Sequence, residues 1–70
     1  MLPLSMAKIG EDNFIKKVGG KTETRQFLER LGFVQGAKVQ IVSQNGGNVI
    51  VSIKDSRVAI SKEMANKIMV

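Results

Sequence analysis

The sequence predicts a mainly β fold: a small barrel of short strands, with one short α-helix after the first strand and another short helix at the C-terminus. Three observations carry this reading. Short runs of alternating apolar and polar residues recur, as in KVQIVS (38–43), NVIVSI (48–53) and RVAI (57–60). Turn signals separate them, the strongest being Asn45-Gly46-Gly47. The chain has 70 residues and no cysteine, so no disulfide staples it, and closing the sheet hides edges that a domain this small must protect. One domain spanning residues 1–70 is the expectation.

MLPLSMAKIG is a lead-in, in which Leu4, Met6 and Ile9 are expected to cover one edge of the core. Gly10 turns the chain into a first strand, DNFIKKV (12–18). Its alternation is imperfect: Phe14 and Val18 share one face with Lys16, and Ile15 points the other way. Gly19-Gly20 ends the strand, and Thr22 is the expected N-cap of a helix starting at Glu23. Thr24, Phe27, Leu28 and Leu31 then fall at i, i+3, i+4 and i+7, one apolar stripe on a helix too short to stand alone.

The stretch ERLGFVQG (29–36) closes that helix. Gly32 suits the left-handed residue that often follows a helix, which lets Phe33 pack back on Leu28. VQGA then turns the chain into the second strand, where Val39 and Ile41 share a face. Asn45-Gly46 favours a tight antiparallel hairpin, because both residues accept positive φ. In the next strand Val49, Val51 and Ile53 align; KDSR turns again; Val58 and Ile60 mark a fourth strand. Ser61 is a good N-cap for a final helix, Lys62 to Met69. The four methionines sit at the two ends, where Met1, Met6, Met64 and Met69 are expected to seal one end of the barrel.

Composition limits function. A chain that is 43% hydrophobic with one proline is no disordered tail. No apolar run approaches the ~20 residues that span a bilayer, and no apolar stretch follows Lys8 to make a signal peptide, so direct membrane insertion is not expected and a cytoplasmic location is. No catalytic constellation is expected. The carboxylates Glu11, Asp12, Glu23, Glu29, Asp55 and Glu63 fall on turns or outer helix faces, and the chain lacks both histidine and cysteine. For the same reason no metal ligand set and no cofactor are expected. Gly19-Gly20 before Thr22 lacks the rest of a phosphate-binding motif.

The formal charge of +5 admits nucleic acid, acidic lipid or acidic protein as partners, and also plain solubility. Lys16, Lys17, Lys21, Arg25, Lys38 and Lys54 form the candidate phosphate-facing set. There is no Tyr or Trp, and Phe14 and Phe27 are assigned to the core and Phe33 to the cap, so no stacking platform remains and nucleic acid is not favoured. The outer side of helix 23–31, with Arg25, Gln26, Glu29 and Arg30, is the best candidate for contact with a protein.

LERLGFVQGAKVQIV (28–42) resembles the central segment of FeoA proteins, small cytoplasmic partners of the bacterial ferrous iron transporter. Leu28, Leu31, Gly32, Gly36, Val39 and Ile41 match the family pattern, Gly32 and Gly36 with the two leucines forming its structural corner. Leu4, Met6, Gly10 and Ile15 match its opening, and VAISKEMANKIMV (58–70) its ending. The middle loop, SQNGGN, is shorter than usual, and Ser61-Lys62 stands where many members carry an arginine. The resemblance implies an SH3-like barrel and a non-enzymatic accessory protein of Fe(II) uptake. Such a protein acts by contact with the cytoplasmic GTP-binding region of the transporter, which would hold it at the inner face of the membrane. On that reading Arg25, Glu29, Arg30, Phe33 and Gln35 form the partner-facing patch. A free-standing nucleic-acid-binding barrel and a self-associating scaffold or sensor, with weak homo-oligomers, are the alternatives.

Overall fold

The centre of the molecule is an antiparallel meander in which hydrophobic alternation and burial coincide. The computed structural model describes residues 1–70. Strands β1 (Asp12–Phe14) and β2 (Lys17–Val18) precede helix α1 (Thr22–Arg30); β3 (Lys38–Asn45), β4 (Asn48–Ile53) and β5 (Ser56–Ser61) form the meander; α2 (Lys62–Ala65) and β6 (Ile68–Met69) complete the chain. One sheet has the order β1-β3-β4-β5, and β2 pairs with β6 in a second, two-stranded sheet. This is the mainly β, small SH3-like barrel that the sequence predicts, with α1 inserted after the first strands and α2 near the end.

Val39, Ile41, Val49, Val51, Ile53 and Ile60 line the inner face and join Leu4, Ile15, Leu28, Phe33, Ala65, Ile68 and Val70 in one buried cluster. The register of β3 against β4 shifts between Ile41 and Ser43, so Val42 is a bulge residue. Such an insertion bends and twists the strand. Beyond it Ser43, Gln44 and Asn45 are exposed.

Five sequence expectations change here. Residues 12–18 form two strands rather than one, because the chain leaves β1 for the second sheet: Ile15 N–H donates to Ala37 O (2.9 Å) and Lys16 N–H to Met69 O (2.7 Å). Of the adjacent pair Phe14 and Ile15 only one can face inward; Ile15 is buried, and Phe14, opposite Lys38, is 59% exposed. In the lead-in a three-residue 3-10 turn, Leu4–Met6, sends Leu4 into the core and leaves Met6 and Ile9 in solvent. Thr22 is the first helical residue, not the cap; Lys21 occupies the cap position without a side-chain hydrogen bond. In the middle hairpin Asn45 belongs to β3 opposite Asn48, and the loop is Gly46-Gly47 with positive φ at its first residue only, the pattern of a II′ rather than an I′ turn.

The largest change is at the C-terminus. Ser61 caps α2 as expected, its Oγ accepting from Met64 N–H at 3.1 Å. The helix stops at Ala65 instead of reaching Met69. Gly19 N–H donates to Lys67 O (2.7 Å), and Lys17 and Val18 pair with Met69 and Ile68. Leu2 and Val70 then exchange backbone hydrogen bonds at 2.9 and 2.8 Å. The apolar clustering of Met64, Ala65, Ile68 and Met69 is therefore shared between a helix turn and a strand, and long-range pairing overrides the helical period. Met1 and Met6 are exposed, so they do not seal the barrel; only Met64 and Met69 are half-buried.

Candidate functional site

The helix α1 ends in a tightly bonded corner. Gly32 has φ +103° and follows the last helical residues. Gly32 N–H donates to Glu29 O (3.0 Å), and Phe33 N–H reaches back to Leu28 O (2.9 Å). These are the two bonds of a Schellman ending, which satisfies carbonyls that a helix terminus leaves open. Leu28 and Phe33 are both fully buried beneath it. A second turn follows at once: Ala37 N–H donates to Val34 O (3.0 Å), with Gly36 at φ +88° in the position that a type II turn reserves for positive φ.

Gly36 N–H donates to Ile15 O at 2.7 Å, and Ile15 N–H to Ala37 O at 2.9 Å. The corner is thus stitched to the segment between β1 and β2. Its neighbour Lys16 is tied on the other side to Met69 O. Backbone hydrogen bonds therefore hold the corner and β2 in fixed relation, and a groove of about 300 Å³ lies between β2 and α1. Lys16, Lys17 and Val18 line one wall, Arg25 and Glu29 the other, and Phe33, Val34 and Gln35 the end. Arg25 and Glu29 share this wall because they are four residues apart on one helical face.

The structure thus brings together Arg25, Glu29 and Gln35 of the predicted patch and leaves Arg30 outside the groove, exposed on α1. Phe33 requires a correction. The predicted patch counts it as partner-facing, but its ring is 0% exposed and anchors the corner from inside. A residue that packs beneath a Schellman ending has no free face to offer. The apolar residues that line the groove with free surface are instead Val34, which is exposed, and Val18, which is half-buried. Of the candidate phosphate-facing set, Lys16, Lys17 and Arg25 converge here, whereas Lys21, Lys38 and Lys54 line none of the grooves. The signal for Lys16-Lys17 was present in the sequence as the longest basic run. Its place opposite Arg25 was not, because it depends on the crossing from β1 to β2.

Phe27 is also corrected: it lies on the predicted apolar stripe but is 44% exposed, since α1 seats only Leu28 fully in the core. With Phe14 it supplies exposed aromatic surface, although neither ring lines a groove. No cluster of three or more His, Cys, Asp or Glu side chains could hold a metal ion, and no buried side-chain N or O atom lacks a hydrogen-bond partner. No helix is long and apolar enough to cross a membrane.

Residues 2–70 match the FeoA domain family model. A Methanocaldococcus jannaschii protein, provisionally named Fe(2+) transport protein A, is 39% identical over all 70 residues, which cover 85% of its length. A crystal structure of an iron uptake regulatory protein, FeoA, is 28% identical and superimposes with a TM-score of 0.87, covering 96% of this chain and 91% of the other. FeoA of Stenotrophomonas maltophilia, described as a procaryotic SH3 domain protein, shares the fold at 23% identity and a TM-score of 0.84, over 99% of this chain and 88% of that one. The chain belongs to the FeoA domain family.

Proposed function

We propose that this FeoA-family chain is a non-enzymatic accessory protein of ferrous iron uptake and acts by contact with the cytoplasmic GTP-binding region of the Fe(II) transporter. Family membership supports the role in iron transport. The observation that carries the contact reading is the groove between β2 and α1: charged groups from two separate elements converge beside a corner held by backbone hydrogen bonds. A rigid surface loses little conformational freedom on binding. Iron is cargo for the transporter in this reading. The present chain offers no histidine or cysteine and no converging carboxylates to carry it. Its place is the cytoplasm, at the inner face of the membrane through its partner.

The test is a titration of isotope-labelled chain with the transporter's soluble cytoplasmic region, following backbone amides. Localised, saturable shifts on residues 16–18 and 23–36 are expected. Arg25→Glu should weaken the complex while the free protein's spectrum stays that of the parent, whereas Arg30→Glu, outside the groove, should weaken it less. An absence of shifts at these residues, with the transporter region folded, overturns the reading. The exposure of Phe14 and Phe27 gives one observation in favour of nucleic acid, so a mixed oligonucleotide belongs in the same experiment; binding that falls steeply with salt would move the assignment there.

A further inference from the structure

We infer that the groove between β2 and α1 takes an extended acidic segment of a protein partner, whose carboxylates meet Lys16, Lys17 and Arg25 and whose apolar side chain covers Val18 and Val34. The inference rests on the reading of this groove as the contact surface and adds the chemistry of what enters it. The lining holds three cations, Lys16, Lys17 and Arg25, and one carboxylate, Glu29, so the groove is electropositive in sum. The three cations come from two places: the adjacent Lys16 and Lys17 at the start of β2, and Arg25 on α1. They are spread along a groove rather than gathered on one helix.

Three features select an acidic peptide over other anions. The volume, about 300 Å³, lies at the low end of the range for ligand sites and suits one or two side chains of an extended segment. Val18 and Val34 give it an apolar part that a bare phosphate would leave uncovered. Glu29 stands among the cations; it repels a ligand with charge at every step, as in a nucleic-acid backbone, but tolerates carboxylates spaced to avoid it. Beside these three, Arg25 supplies a planar fork that can hold a carboxylate, as it would a phosphate, through two parallel hydrogen bonds.

The test titrates the full labelled chain with four probes: a short peptide of glutamates around a central leucine, the same peptide with glutamine for glutamate, a mixed oligonucleotide, and vesicles containing anionic lipid. The acidic peptide should shift the amides of residues 16–18, 25, 29, 34 and 35 saturably, and the glutamine peptide should not. Arg25→Glu should raise the apparent Kd by about tenfold, and Lys16→Gln by less, while Glu29→Gln should lower it. Equal binding of the two peptides, or indifference to Arg25→Glu in a folded variant, overturns the inference. So does a response of these amides to oligonucleotide or vesicles but not to the acidic peptide. The transporter's cytoplasmic region separates the two readings. If it saturates the groove amides while the acidic peptide is silent, the acidic segment is wrong and the contact surface stands. If the peptide binds and the transporter region does not, the partner is wrong and the groove chemistry stands. Silence in both overturns both.

Discussion

The meander β3–β4–β5 and the segment around the corner, residues 12–37, hold the fold by different means. In β3 and β4 buried residues alternate with less buried ones, as Val49, Val51 and Ile53 do with the half-buried Ile50 and Ser52, and cross-strand partners share faces. Side-chain burial specifies the register there, because a slip of one residue would turn the whole apolar set outward. Around the corner few residues are fully buried, among them Ile15, Leu28 and Phe33, and the geometry is set by backbone hydrogen bonds at Gly32 and Gly36. A surface built on backbone bonds leaves its side chains free to face a partner. The candidate groove lies in that second region, and the meander serves as its support.

The comparison can be broken first at a buried side chain. Ile41→Ala, in the middle of β3, should cost about 2–5 kcal/mol by lost transfer energy plus a cavity. In a domain this small that approaches the whole stability, so urea unfolding should show little folded protein or a midpoint shifted far down. A mild effect would mean that the meander is not the support. Gly32→Ala tests the corner. The new Cβ would lie 3.5 Å from Ile53 Cδ1 and Lys54 Cε, ordinary contacts, so the cost is that of positive φ rather than of a clash. About 1–2 kcal/mol is expected, with shifted amides at residues 28–37; equal melting of variant and parent would remove the corner from the account.

A smaller effect is expected at the cap of α2. Ser61→Ala should lose about 1 kcal/mol, read as a lower thermal midpoint. The smallest belongs to Phe14→Ser. Exposed on β1, it should change stability by about 0.5 kcal/mol or less, although its neighbour Ile15 is in the core. A large loss from Phe14→Ser would restore the inward placement that the sequence alone suggests.

Those two neighbours show what was legible in the sequence. Where alternation was clean, at Val49, Val51 and Ile53, the facing was read correctly. The corner was legible because Gly32 and Gly36 follow from local rules of helix ending and turn geometry. The doublet Phe14-Ile15 was not, since choosing between the two requires knowing that the chain changes sheets there. The end of α2 was hidden for a similar reason: Ile68 and Met69 continue a plausible helical stripe, and only the pairing with Lys17 and Val18 draws them away. In the candidate site, Arg25, Glu29 and Gln35 were found because they belong to one local unit. Lys16, Lys17 and Val18 were missed as their counterparts, because that wall takes its place only when the chain crosses from β1 to β2.

The reciprocal bonds between Leu2 and Val70, together with the pairing of β2 and β6, join opposite ends of the sequence. This makes the order of folding asymmetric in time. The meander can form from neighbouring residues, but closure waits for a contact whose loop entropy must be met late. On a ribosome, a nascent chain that has emerged only as far as α2 would hold a formed meander and an open β2 edge. The wall that carries Lys16 and Lys17 would then acquire its shape only once β6 is available to pair with β2.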